Sequence, residues 1–274
     1  MSAVHGFGLG IATHNSAEDT LDVFYPKPLS SVEGDLAVLL REVSGPLDND
    51  QLAELSNNFA SVGANDQAKL AEQLRSSAGR VVATTLVDNA APATVADAYL
   101  KLHLLSHRQV QPHGTELEGL FGLLPNVAWT DQGAVCLSDL PQRQLDARLK
   151  GTVLEVASVD KFPKMTNYVV PTGVRIAHTA RVRLGAYLGE GTTVMHEGFI
   201  NFNGGTEGPG MIEGRISAGV WVGAGSDLGG GCSTMGTLSG GGNIVISVGR
   251  ECLIGANAGL GIPLGDRCTI EAGL

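Results

Sequence analysis

From Val170 to Ile200 an apolar residue returns at every sixth position: Val170, Ile176, Val182, Leu188, Val194 and Ile200. A second run, Ile246, Cys252, Ala258, Leu264 and Ile270, keeps the same step. An α-helix repeats its apolar face every ~3.6 residues and a strand every ~2, so neither accounts for a step of six. A parallel β-helix does. Each hexad supplies one short strand with an inward side chain, three hexads close a coil, and residues three hexads apart stack on one face.

The first part of the chain has other periods. Leu52, Leu55, Phe59 and Val62 form a stripe at helical spacing that Leu70 and Leu74 resume, which predicts helix over 50–78. Val95 to His107 reads as a second helix with Thr94 as its cap. Residues 21–25, 81–87, 126–130, 134–137 and 152–159 read as strands. The pattern therefore predicts an α+β N-terminal domain over 1–165, with Lys161 to Lys164 at the junction, and a parallel β-helix over 166–274.

The six-residue register breaks twice. After Ile200 it resumes at Ile216, Val222 and Leu228. That gap of sixteen predicts about four extra residues, an insertion over 201–215 that bulges from one face. The second break lies around CSTMGTLSGGGN, 232–243. The chain stops at Leu274 in full repeat without a cap, which predicts further coils beyond it.

Composition sharpens this picture. Of 38 glycines, 26 fall in 165–274, as tight corners between short strands require. The net charge of −10 argues against general binding to nucleic acid or anionic membranes. A small anion held by a few arginines and backbone N–H groups stays compatible with it. No stretch approaches a membrane span, and MSAVHGFGLG lacks the features of a signal peptide. Cys136, Cys232, Cys252 and Cys268 form no CxxC, Cys252 occupies an inward position, and a reducing cytoplasm is the simplest compartment.

Several groups are chemically suggestive. Glu213 and Arg215 sit two residues apart among glycines, so an extended backbone turns both to one side. They read either as a base or acyl acceptor beside an anion-binding guanidinium, or as a local ion pair. His178 and His196 should stack one coil apart, as half-exposed polar residues or as partial zinc ligands. His196 with Glu197 is a weaker candidate for catalysis or metal binding. GTLSGGG (236–242) lacks the phosphate-loop pattern and reads as a loop whose backbone approaches a ligand or a neighbouring subunit, or as a plain turn. His103 and His107, four apart on a helix, read as structural.

Longer strings add a resemblance. LHLLSHR (102–108), NVAWT (126–130), VDKFPKM (159–165), YVVPTGVRIA (168–177), RVRLGAYLGEGTTVMHEGFINFN (181–203), MIEGRISAGV (211–220) and MGTLSGGG (235–242) stand in order along the chain. The hexad region resembles the left-handed β-helix acyltransferases, and these strings resemble the tetrahydrodipicolinate N-succinyltransferases. That resemblance implies succinyl transfer from succinyl-CoA to tetrahydrodipicolinate in lysine and diaminopimelate biosynthesis, by a homotrimer with active sites between neighbouring β-helices. It puts Glu213 in the place of the catalytic carboxylate and Arg215 in that of a succinyl-CoA contact. Gly230, Ser233, Ala256, Glu271 and Ala272 match further contacts. Some relatives hold Mg2+ on the trimer axis through an Asp and a Glu. Here Ala180 stands at the first position and only Glu197 remains. Three rival expectations are an acetyl-CoA-dependent relative with His196 as base, a zinc hydratase on the same scaffold, and a non-catalytic hexapeptide scaffold.

Overall fold

The computed structural model describes residues 3–236 and 244–274. Contacts divide the chain into two units, Met1–Lys101 with Glu116–Pro163, and Leu102–Thr115 with Lys164–Leu274.

In the first unit the long strand Val4–His14 pairs antiparallel with Thr20–Phe24, Leu29–Val32 and Arg80–Leu86. Its side chains Val4, Phe7 and Leu9 are buried with Leu40, Leu52, Phe59 and Leu70, and Phe7 meets Phe59 edge-on at 5.9 Å between centroids. The helix expected over 50–78 is two, Asn49–Ser61 and Asn65–Leu74. Between them Gly63 takes a φ of +78°, a left-handed conformation that ends a helix and favours glycine. Asp48 and Gln51 close the first of them with a reciprocal capping box. A second antiparallel sheet sets Val127–Thr130 between Gly133–Cys136 and Val156–Asp160, so residues 152–155 of the expected last strand lie outside it. Thr94 caps the helix Val95–Ser106 as expected: its Oγ1 accepts from the Asp97 amide at 3.1 Å, and the Asp97 carboxylate accepts from the Thr94 amide at 3.0 Å.

The second unit is a parallel β-helix with three faces. One face stacks Arg175–Ile176, Thr192–Val194, Gly210–Ile212, Ser226–Leu228, Leu253–Ile254 and Thr269–Ile270. The second stacks Phe199–Ile200, Arg215–Ile216, Ser233–Thr234 and Gly259–Leu260. The third stacks Tyr187–Leu188, Gly205–Thr206, Trp221–Val222 and Ser247–Val248. Leu188, Val194, Ile200, Ile212, Ile216 and Leu228 are fully buried in the core, with Cys252 and Ala258. Thr192 and Thr206, also inside, satisfy each other at 2.7 Å.

The structure corrects two register expectations. Val170 is 62% exposed and is not an inward position; the stacked strands begin at Arg175. Residues 201–215 hold no insertion. Ile200 pairs directly with Ile216, and Gly205–Thr206 and Gly210–Ile212 are ordinary strands of that coil. The gap of sixteen is a coil two residues short of eighteen. The second break is a true insertion. Thr234 and Ser247, thirteen apart, hold the places that Ile216 and Trp221 hold five apart in the coil before. Most of that stretch, 237–243, lies outside the described residues.

Residues 102–115 run against this β-helix and bind its turns. Ser106 Oγ accepts from the Gly185 amide at 2.8 Å and donates to the Ala186 carbonyl at 3.0 Å. The Arg108 guanidinium donates to the carbonyls of Leu188 and Thr172, and His113 Nε2 bonds the Gly219 carbonyl at 2.8 Å. Among the described residues no helix is long and apolar enough to cross a membrane.

Candidate active site

The site is a column of corners between the first and second faces. Each coil leaves the first face through a turn whose first amide bonds the carbonyl of the next coil. Met195 N bonds Ile212 O, Glu213 N bonds Leu228 O, Gly229 N bonds Ile254 O and Gly255 N bonds Ile270 O, all at 2.8–2.9 Å. The stack therefore runs from Ala177 through Met195, Glu213, Gly229 and Gly255 to Glu271. Four residues make the turn in most of these coils: Met195–Gly198, Gly229–Cys232 and Gly255–Ala258. In one coil only Glu213 and Gly214 separate Ile212 from Arg215. The two residues missing from the short coil are missing here.

The short corner exists because Gly214 lets it. Its φ lies outside the left-handed region, so conformation does not demand glycine; space does. A Cβ built there meets Cys232 Sγ at 2.2 Å, Cys232 O at 2.7 Å and Gly229 O at 3.1 Å. The turn above it folds down over the space left by the missing residues. Cys232 is fully buried, and burial, ahead of the Asp227 charge, pushes its thiol up to about 11 while Arg215 opposes the shift. It is a filler, not a nucleophile.

Glu213 is half-buried, and its Oε2 lies 3.5 Å from where a Cβ of Gly230 would stand. The carboxylate thus rests against the backbone of the coil above. Above Gly230 the column continues with Ala256 and Ala272, both small. Asn257 N bonds Gly230 O at 3.0 Å, and Gly273 N bonds Ala256 O at 2.9 Å. Arg215 starts the second-face strand, exposed, with Phe199 and Ser233 as its register neighbours. Among the described residues Glu213 and Arg215 make no ion pair, with each other or with any other group. Of the residues singled out from sequence, Glu213, Gly230, Ala256, Glu271 and Ala272 share one corner column, and Arg215 and Ser233 are adjacent on the face beside it.

Below Glu213 the same column is polar. The rings of His178 and His196 meet edge-on, 5.3 Å between centroids, as the stacking predicts. His196 Nδ1 bonds Glu197 Oε1 at 2.7 Å and Arg181 holds Glu197 Oε2 at 2.8 Å. The His196 hydrogen bond first, then the Arg181 charge, lowers the pKa of the exposed Glu197. Within the chain this carboxylate is thus held by the Arg181 guanidinium and the His196 ring. The described residues contain no group of three His, Cys, Asp or Glu suited to a metal ion. His103 and His107 stack on the helix, centroids 5.9 Å apart, and burial lowers the pKa of His107. Gly236 is described, but the rest of the 236–242 loop lies outside the described residues.

Sequence reasoning missed the parts that shape this corner. The role of Cys232 over Gly214 has no local signature. Ser106, Arg108 and His113 bind the turns of the β-helix; for Ser106 and Arg108 the signal was the string LHLLSHR, and His113 had none.

Comparison with known proteins bears on the family and the fold. A family model described as "Tetrahydrodipicolinate N-succinyltransferase middle" matches residues 124–164, and one described as "Hexapeptide repeat of succinyl-transferase" matches 245–274. The chain is 61% identical to the 2,3,4,5-tetrahydropyridine-2,6-dicarboxylate N-succinyltransferase of Pseudomonas putida, covering 100% of this chain and 81% of that one. The Vibrio cholerae protein of the same name is 52% identical, over 99% of this chain and 82% of its own. A Campylobacter jejuni crystal structure described as a 2,3,4,5-tetrahydropyridine-2-carboxylate N-succinyltransferase superposes with a TM-score of 0.90. It is 31% identical, over 100% of this chain and 78% of that one. The chain belongs to the tetrahydrodipicolinate N-succinyltransferase family.

Proposed function

We propose that this chain transfers the succinyl group of succinyl-CoA to tetrahydrodipicolinate. With uptake of one water the ring opens, giving N-succinyl-2-amino-6-oxopimelate and CoA, a step of lysine and diaminopimelate biosynthesis. The observation that carries the site assignment is the short corner. It sets one carboxylate, Glu213, in a column whose upper members are glycine and alanine. Thioester aminolysis needs a proton removed from the attacking nitrogen and a donor for the developing oxyanion. Glu213 is the group for the first task, as base or as transient acyl acceptor. The amides of the glycine-rich turns beside it suit the second.

The column of Gly230, Ala256 and Ala272, with Glu271 at its top, offers a lane without large side chains for the pantetheine arm. Arg215, which pairs with no carboxylate among the described residues, suits the terminal carboxylate of the succinyl group, with Ser233 next to it. A guanidinium there would favour succinyl-CoA over acetyl-CoA, because a paired charge discriminates strongly against an acyl group that lacks it. The reading includes a cytoplasmic homotrimer with the column facing a neighbouring β-helix. It keeps 1–165 and 166–274 as domains. Glu213→Gln should abolish succinyl-CoA-dependent thiol release while leaving the melting temperature unchanged. Near-normal turnover in that variant removes Glu213 from the chemistry.

A further inference from the structure

One row of outward side chains on the β-helix includes a ring that the succinyl-transfer reading leaves unassigned. On the second face the row runs Phe199, Arg215, Ser233 and Gly259, each in register with the next. Above Arg215 the row is small. Below it stands Phe199, half-buried, while Arg215 itself is exposed.

The backbone fixes this juxtaposition. Phe199 N bonds Gly214 O at 3.0 Å and Asn201 N bonds Ile216 O at 3.0 Å, so the lower strand is tied on both sides of Arg215. Neighbouring strands stand about 4.8 Å apart, which sets the ring on the level directly below that of the guanidinium.

The ring is also held from beneath. Arg183, on the coil below, has its guanidinium carbon 5.8 Å from the Phe199 ring centroid, within the range of a cation–π contact. Its Nη1 donates to Asn201 Oδ1 at 3.2 Å, and its amide bonds Ile200 O at 3.2 Å. Arg183 is thus tied to the strand of Phe199 at two points and stays beside the ring. The ring cannot drop toward the coil below without displacing it, so Phe199 is a fixed wall one level under Arg215.

That wall bears on the acyl group. On the succinyl-transfer reading, on which this inference rests, the pantetheine arm descends past Ala272, Ala256 and Gly230. The thioester then lies at Glu213 and the terminal carboxylate at Arg215. Glu213 and Arg215 are two residues apart on a corner of fixed backbone, so the acyl chain between them has a set length. A longer diacid must carry its extra carbon beyond Arg215, on the side away from the descending arm. Phe199 occupies that side.

We infer that Phe199 sets the acyl length this site accepts. Its ring closes the lower end of the acyl pocket, so that a four-carbon diacid places its carboxylate on Arg215 and a five-carbon diacid is turned away.

The test compares kcat/KM for succinyl-CoA and glutaryl-CoA, each with tetrahydrodipicolinate, by thiol release from the full chain. The unmodified protein should prefer succinyl-CoA by about 10–200-fold, the range of one methylene in a closed pocket. Phe199→Ala should reduce that preference at least about tenfold, chiefly by raising turnover of glutaryl-CoA. A merely structural ring would lower both rates together and leave their ratio in place, so an unchanged ratio in Phe199→Ala would overturn the inference. Equal use of the two acyl-CoAs by the unmodified protein would overturn it too, and that arm needs no variant to fold. Absence of thiol release from succinyl-CoA in the unmodified protein is a different result: it removes the transfer reading, and the role of Phe199 with it.

Discussion

Replacing Gly214 with alanine tests the short corner directly. The new Cβ would stand 2.2 Å from Cys232 Sγ, 2.7 Å from Cys232 O and 3.1 Å from Gly229 O, and no rotamer can move a Cβ away. The turn Gly229–Cys232 must therefore lift, although its Cys232 carbonyl accepts the Arg215 amide at 2.8 Å. Forcing one carbon into such a contact costs about 1–3 kcal/mol, which lowers the melting temperature of a unit this size by roughly 2–10 °C. The larger effect falls on chemistry. Glu213 is adjacent in sequence and rests against Gly230 of the turn being lifted. A displacement of ~1 Å at a reacting group costs up to about 100-fold in rate, so thiol release from succinyl-CoA should fall roughly 10–100-fold. Cys232→Ala removes the closest of the three contacts. Alone it leaves a small cavity, but in the Gly214→Ala background it should recover part of both stability and rate. The two substitutions must then be non-additive, as residues in contact are. A Gly214→Ala protein that melts and turns over like the parent, or a strictly additive double variant, would refute the account of the corner.

Further outcomes follow from the same geometry. Arg215→Met should lower kcat/KM for succinyl-CoA roughly 10–100-fold, the range of one lost charge-assisted contact, while acetyl-CoA turnover stays at its low level; an equal loss for both would place Arg215 elsewhere. Because burial raises the Cys232 thiol from its ordinary value near 9 to about 11, the fold favours the neutral thiol. Its contribution to stability is complete below the unfolded pKa and is lost as pH climbs from about 9 through 11. Denaturant midpoints should fall over that window, and Cys232→Ala should flatten the slope. Treatment with EDTA should leave turnover unchanged, since Glu197 already faces Arg181 and His196; a loss restored by Mg2+ would show that the carboxylate serves a metal in the assembly.

Much of the fold was readable because the β-helix writes its period into the chain. Leu188, Val194, Ile200, Ile216 and Leu228 fall inward as the hexad rule requires, and His178 stacks on His196 as a spacing of eighteen predicts. Failures came where spacing does not determine topology. A gap of sixteen between Ile200 and Ile216 is compatible with two hexads plus four residues or with three hexads less two. Only the pairing of Phe199 with Arg215 decides between them. The helix over 50–78 failed for a local reason: one glycine at positive φ split a stripe that reads as continuous. Residues 102–115 have helical and turn character and no hexad signal, yet they bind the turns of the coils, because Ser106 and Arg108 satisfy carbonyls that the sheets leave open.

The distinction between an insertion and a deletion changes the chemistry assigned to Glu213. A carboxylate on an inserted loop would be exposed and would have to be ordered by its substrate, at a cost in conformational entropy of about 1–2 kcal/mol for each residue fixed. A carboxylate on a corner shortened by two residues is held before any ligand arrives, by an amide bonded to Leu228 O on one side and by Arg215 N on Cys232 O on the other. Removing residues from one corner also withdraws their side chains from the column, and the turn Gly229–Cys232 takes up the space they leave. The same shortening thus fixes the backbone that carries the carboxylate, and Gly214 under Cys232 is the contact on which that depends.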